Sequence, residues 1–315
     1  MSRFAKLAWF TLAWNVADVL WGALVRATGS GAGCGNHWPT CNGDVIPTPQ
    51  NIATVIEFTH RILSGVAIVL IGVLLVWGWR KYAKGSPVRL GVTAAAVFIL
   101  LEAALGAGLV LLDLVTTNTS AARAIAVAAH LLNTFFLLAS LALTAWWASG
   151  GTRVSLKKQG RLPLLFGLGL AGVALLAMAG AVTALGDTLF PAQNLAQGLA
   201  QDADINSSFL VRLRVIHPLI AVLVSVYTLG LVRYLAGRLR DAAGRRLLLA
   251  LGGLVVVQLA AGAVNVLLLA PTWMQLLHLL LADGVWVTYV LLSAAVLGRK
   301  NQISGRRDGV VFPLG

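Results

Sequence analysis

Eight apolar stretches, each long enough to cross a bilayer, constrain this chain more than any other feature. They lie near residues 7–27, 52–79, 90–114, 122–147, 164–185, 208–235, 247–269 and 272–297. A hydrocarbon core about 30 Å thick is crossed by about 20 helical residues. In lipid each backbone N–H and C=O must find its partner within the protein, so runs of this kind are read as helices. Composition agrees, because 58% of residues are hydrophobic and only 11% are charged, against about 25% charged in soluble domains. The first run lacks a small-residue cleavage site and is read as a retained helix. The expected fold class is an all-α membrane protein with eight transmembrane helices.

The formal net charge of +13 would suit nucleic acid if the basic residues shared one face. They lie instead in short clusters between apolar runs, as the positive-inside bias requires, so no nucleic-acid partner is expected. Arg3 and Lys6 precede the first run, and Arg80, Lys81, Lys84 and Arg89 fill the second connection. Arg153, Lys157, Lys158 and Arg161 fill the fourth; Arg233, Arg238, Arg240, Arg245 and Arg246 the sixth; and Arg299, Lys300, Arg306 and Arg307 follow the last run. The first and fifth connections carry no Lys or Arg, only Asp44, Asp187, Asp202 and Asp204, and the third carries only Arg123. This alternation places both termini in the cytoplasm of a bacterial-type cell with a multi-pass protein in its plasma membrane.

The second half echoes the first at a separation of about 157 residues. "LVRATGS" at 24–30 aligns with "AVTALGD" at 181–187, "EAALGAGLVLL" at 102–112 with "QLAAGAVNVLL" at 258–268, and His60 falls on His217. "HLL" at His130 recurs at His278. A duplicated four-helix unit with parallel repeats about an axis along the membrane normal follows. The expected division is into halves 1–150 and 151–315, related by a pseudo-twofold axis.

Four of the five histidines, His60, His130, His217 and His278, lie six to nine residues into the second, fourth, sixth and eighth runs. At ~1.5 Å per residue they share a depth of roughly 9–14 Å below the same membrane face. A single intramembrane histidine is as well explained by a bond to a neighbouring carbonyl. Two per half at one depth suit two axial ligands of a haem iron in each bundle. Zinc takes three or four ligands, and no cysteine or second carboxylate is expected at this depth. Two isolated imidazoles also make a poor copper cage. The small residues Gly106–Ala107–Gly108 and 260–263 (AAGA) would let a flat ring approach the backbone, although they also serve helix packing.

The halves differ beside the ligands. In "EFTHR" Glu57 stands three residues before His60, on the same helical face. Arg214 stands three before His217. A local Glu57–Arg61 ion pair at i,i+4 is the bland reading. The sharper one makes the first half the reactive site and gives Arg214 or Arg212 to a haem propionate in the second. In the loop "GAGCGNHWPTCNGDVIP", Cys34 and Cys41 face the oxidising side, where a disulfide is the natural state. Closing that ring would contribute about 2.5 kcal/mol in the chain-entropy model. The pair is either a staple or a redox couple, and His37 inside the loop has no required role.

Together, "ATGSGAGCGNHWPTCNG", "EFTHR" and the single histidines of the fourth, sixth and eighth runs resemble the haem A synthase family, over nearly the whole chain. The resemblance implies an eight-helix protein with pseudo-twofold halves that oxidises the C8 methyl of haem O to a formyl group. It implies that Glu57, His60 and His130 serve the haem O site, with Glu57 catalytic, and that His217 and His278 hold haem b as cofactor. A carboxylate near the porphyrin rim can stabilise positive character at the oxidised carbon and take a proton from attacking water. Implied partners are the bilayer, haem O synthase, and a quinone or another electron acceptor.

Two other classes compete. A di-haem b-type electron-transfer cytochrome explains four histidines but needs neither Glu57 nor the cysteine loop. A transporter with parallel repeats would draw on Asp18 and Glu102, the acidic residues near mid-membrane, to which the sequence gives no other role.

Overall fold

The computed structural model describes residues 1–48, 51–239 and 241–298. Arg240, Arg299, Lys300, Arg306 and Arg307 of the basic clusters lie outside the described residues. The helices are α1 (Arg3–Ala27), α2 (Ile52–Lys81), α3 (Pro87–Leu111), α4 (Ala121–Ala148), α5 (Leu162–Leu189), α6 (Leu195–Ala203), α7 (Phe209–Arg212), α8 (Ile216–Ala236), α9 (Ala242–Leu267) and α10 (Thr272–Leu297). Eight spans are long and apolar enough to cross a membrane, with 209–236 counting as one. No strand occurs among the described residues, and Cys41 and Asp44 form an isolated bridge.

Helix starts follow from the polar residues just before each apolar run. Ser2, Asn51, Ser86, Ser120 and Asp241 each accept a backbone N–H of the first turn through the side chain. Such a cap satisfies one donor that the helix itself cannot, worth about 1 kcal/mol. Pro87 takes the first helical position of α3, where a missing N–H costs nothing.

The sixth span departs from the single helix expected. A 3₁₀ turn over Leu213–Val215 separates α7 from α8. Pro218 supplies the reason: it has no N–H, and its ring crowds the carbonyl four residues back, at Arg214. Tightening to 3₁₀ relieves that crowding. The sequence reading also missed α6, a short helix in the α5–α7 connection, capped by Asn194.

The helices pack as two rings of four. In the first, α1 touches α2 and α4, and α3 touches α2 and α4. In the second, α5 touches α8 and α10, and α9 touches α8 and α10. Histidine-bearing α2 and α4 are therefore diagonal in one ring, as α8 and α10 are in the other. The rings meet through α1 and α4 on one side and α5 and α10 on the other. Phe135 stacks on Trp286 there at 4.8 Å between ring centres, and the Trp286 indole donates to the Phe135 carbonyl at 2.6 Å. The inner parts of α4 and α10 are accordingly buried, while α2, α3, α8 and α9 expose rows such as Val69, Val73 and Val76 or Val222, Leu223 and Val226. Apolar rows of this extent belong against lipid.

Candidate functional site

Each of the four intramembrane histidines is seated on a glycine of the neighbouring helix. A Cβ built on Gly22 of α1 would lie 3.0 Å from Cε1 of His60 on α2. One on Gly106 of α3 would lie 3.8 Å from Nε2 of His130 on α4. One on Gly180 of α5 would lie 2.9 Å from Cε1 of His217 on α8, and one on Gly262 of α9 would lie 3.2 Å from Cε1 of His278 on α10. At Gly22, Gly180 and Gly262 a side chain would crowd the ring, whereas at Gly106 the added Cβ would make only an ordinary van der Waals contact. The sequence placed Gly106 and Gly262 beside the candidate sites. It did not single out Gly22 or Gly180, which stand one residue out of register between the two halves.

This seating carries a direct prediction. Gly180→Ala should force the His217 ring to move and destabilise the protein by about 1–3 kcal/mol, the usual cost of overpacking. Gly253→Ala, in α9, meets nothing within 4 Å and should be neutral or slightly stabilising, since Ala is the better helix former. Thermal midpoints in detergent compare the two directly; equal responses would mean that the His217 ring has slack.

In the second half the His217 and His278 rings have centres 6.4 Å apart and planes at 81°. Two imidazoles bound to opposite sides of one metal, each by a bond of about 2 Å and with ~1 Å more to the ring centre, would stand roughly 6 Å apart. The separation of the ring centres matches what one iron between two imidazoles would require. Nδ1 of both rings is buried without a hydrogen-bond partner, and the Gln258 amide nitrogen lies 3.2 Å from Nε2 of His278.

In the first half the histidines have carboxylate neighbours. Nδ1 of His60 is 3.0 Å from Oδ1 of Asp18, and Nδ1 of His130 is 3.0 Å from Oε1 of Glu102. Neither ring N–H is aligned as a full hydrogen bond, so these are close polar contacts with the oxygen to one side. The expectation that no second carboxylate lies at this depth is therefore corrected, and the two acids without a role acquire one. Among the described residues no three or more of His, Cys, Asp and Glu cluster as a metal ion held by protein side chains alone would require.

Glu57 does not share its carboxylate with His60. It is 3% exposed; Oε2 accepts the Cys34 N–H at 2.8 Å, and Oε1 accepts from Arg61, the i,i+4 pair. The Arg61 guanidinium also donates to the carbonyls of His37 at 2.7 Å and Thr40 at 2.6 Å. The Cys34–Cys41 disulfide closes the same loop. Gly33 lies flush on the start of α2, where an added Cβ would come within 2.4 Å of the Ala53 backbone, and the Thr54 hydroxyl donates to the Gly33 carbonyl at 2.7 Å. Glu57 and Arg61 are thus the bolt that holds the cysteine loop over the loop end of α2, within one turn of His60. His37 is exposed on that loop.

Arg214 is also engaged. It contacts Asp187 at 3.2 Å and Asp202 at 3.0 Å, and donates to Gln201 at 3.1 Å, which ties α6 to α5. Arg212 is exposed and has no such partner. Arg26, in "LVRATGS", joins the two rings by donating to the Ala184 carbonyl at 2.7 Å, to Thr188 at 2.8 Å and to Gln275 at 2.8 Å. Sequence reading passed over it because its matching position in the second half is Thr183, which carries no charge.

A family model of cytochrome oxidase assembly proteins, COX15-CtaA, matches residues 5–290. The chain belongs to the COX15-CtaA family. A Thermus thermophilus protoheme IX farnesyltransferase is 50% identical over 299 residues, covering 95% of this chain and 49% of that protein. The chain therefore spans about half the length of this relative. A heme A synthase of Halalkalibacterium halodurans is 43% identical over 95 residues, 30% of this chain and 32% of its own. One of Alkalihalophilus pseudofirmus is 45% identical over 92 residues, 29% and 31% of the two chains. Membership of COX15-CtaA makes this a multi-pass membrane protein related to enzymes that act on haem.

Proposed function

We propose that the chain is a haem A synthase, oxidising the C8 methyl of haem O to a formyl group, with both termini in the cytoplasm. The observation that carries this reading is the pair of diagonal histidines in each ring, seated on glycines, within a COX15-CtaA chain. The first half, residues 1–150, takes haem O between His60 and His130. The second half, residues 151–315, holds haem b between His217 and His278. The 6.4 Å separation of the latter rings supports that assignment.

Haem b, when bound, supplies a one-electron store. The protein's own contribution is orientation and charge. Gly22 lets the His60 ring lie close against α1, and Gly106 lies beside His130 at ordinary contact distance. The disulfide loop, bolted through Glu57 and Arg61, covers the loop end of the first ring and limits water there. Glu57, the buried anion beneath that cover, is held by the Cys34 N–H and Arg61, and we assign to its charge the stabilisation of positive character developing at the rim carbon of bound haem O. Arg212, free of internal partners, is the better candidate for a haem propionate in the second half, because Arg214 already carries Asp187 and Asp202.

The Thermus farnesyltransferase relative supports a working partnership with haem O synthase, and a quinone or similar carrier is the proposed electron acceptor. The test is to make this chain in cells that produce haem O and to analyse extracted haems by mass. Haem A should appear only with the chain present. Abundant haem b with no haem A would favour the di-haem electron carrier instead.

A further inference from the structure

In one half of the molecule both candidate iron ligands have a carboxylate behind them; in the other half neither does. Asp18 lies behind His60 and Glu102 behind His130, each at 3.0 Å from Nδ1. Both acids accept from further donors, Ser64 (3.1 Å from Asp18) and Thr134 on the oxygens that face the histidines and Asn133 on the other oxygen of Glu102. At the matching positions of the second half stand Leu175 and Gln258. No carboxylate lies within ion-pair distance of His217 or His278 among the described residues.

A carboxylate on the far nitrogen of a metal-bound imidazole fixes which nitrogen carries the proton, fixes the ring orientation and strengthens the imidazole as a donor. A stronger donor favours the oxidised metal. We infer that Asp18 and Glu102 are positioning residues that give iron held by His60 and His130 a lower reduction potential than iron held by His217 and His278. This rests on the reading of the four histidines as haem ligands. It assigns the two mid-membrane acids to electronic tuning of one site rather than to transport.

Potentiometric titration of the purified protein loaded with haem O tests it, with His60→Ala identifying the absorbance component of the first site. Asp18→Asn and Glu102→Gln keep size and most hydrogen bonding but remove the charge. Each should shift the oxidised-to-reduced ratio of that component about tenfold, an upward move of about 59 mV for a one-electron couple. The second component should stay where it is. Ser64→Ala removes a competing donor from Asp18 and should move the first component downward. A merely structural role would lower haem occupancy without moving either midpoint.

Bound haem O with wild-type midpoints in Asp18→Asn, Glu102→Gln and Ser64→Ala would overturn the inference. Absence of any component lost in His60→Ala would overturn the haem O site itself, and the tuning role with it.

Discussion

Glu57→Gln is expected to abolish haem A formation while leaving the protein folded, inserted and able to hold haem b. The substitution keeps an oxygen for the Cys34 N–H, so the nearest tether of the disulfide loop survives. What it removes is the negative charge, which is 3% exposed and shared only with Arg61 and the Cys34 amide. Losing one partner of a buried ion pair costs about 3–5 kcal/mol when the remaining charge is stranded. Here the stranded guanidinium keeps the His37 and Thr40 carbonyls, which limits the loss of stability. Loss of charge stabilisation at the reacting carbon is not offset in this way, and removal of one such stabilising group lowers turnover by about 10²–10³.

Arg61→Gln is the control that separates chemistry from tethering. It weakens the loop contacts but leaves the carboxylate in place, so it should retain measurable haem A. Extracted haems from cells making haem O with each variant give the answer. Equal yields from Glu57→Gln and the unmodified chain would reduce Glu57 to a structural bolt.

The spans, the histidine pairs and the cysteine loop were legible because each leaves a linear signature: a run length, a recurring residue at one depth, a Cys–Cys spacing. The sixth span reads as one continuous helix, although Pro218 carries the cause of its break, because the consequence of that proline depends on which carbonyl the ring meets. Contacts between helices were harder. Asp18 lies nine residues before the end of α1 at Ala27, and His60 eight residues after the start of α2 at Ile52. Glu102 lies nine residues before Leu111, and His130 nine after Ala121. Since consecutive spans run in opposite directions, this count alone puts each acid level with its histidine.

Depth, however, does not say which face a side chain takes, and that is where the Glu57 reading changed. Three residues apart on a helix gives one face, yet the carboxylate turns outward to the Cys34 amide. An amide donor brought in by a loop from 23 residues away has no linear signature. The same holds for Arg214, whose carboxylate partners come from α5 and α6.

The central claim is that the two histidine pairs hold haem independently and for different purposes. Retention of haem b by purified variants tests it most directly, read from the absorbance spectrum and from mass analysis of extracted haem. The His217 and His278 ring centres are 6.4 Å apart, and on the proposed reading an alanine at either position leaves one ligand where two are needed. His217→Ala and His278→Ala should therefore each lose haem b almost completely. His60→Ala and His130→Ala lie in the other ring, on α2 and α4, and should keep it at close to the unmodified level while failing to produce haem A. Equal loss of haem b from all four variants, or its loss from His60→Ala alone, would contradict the account.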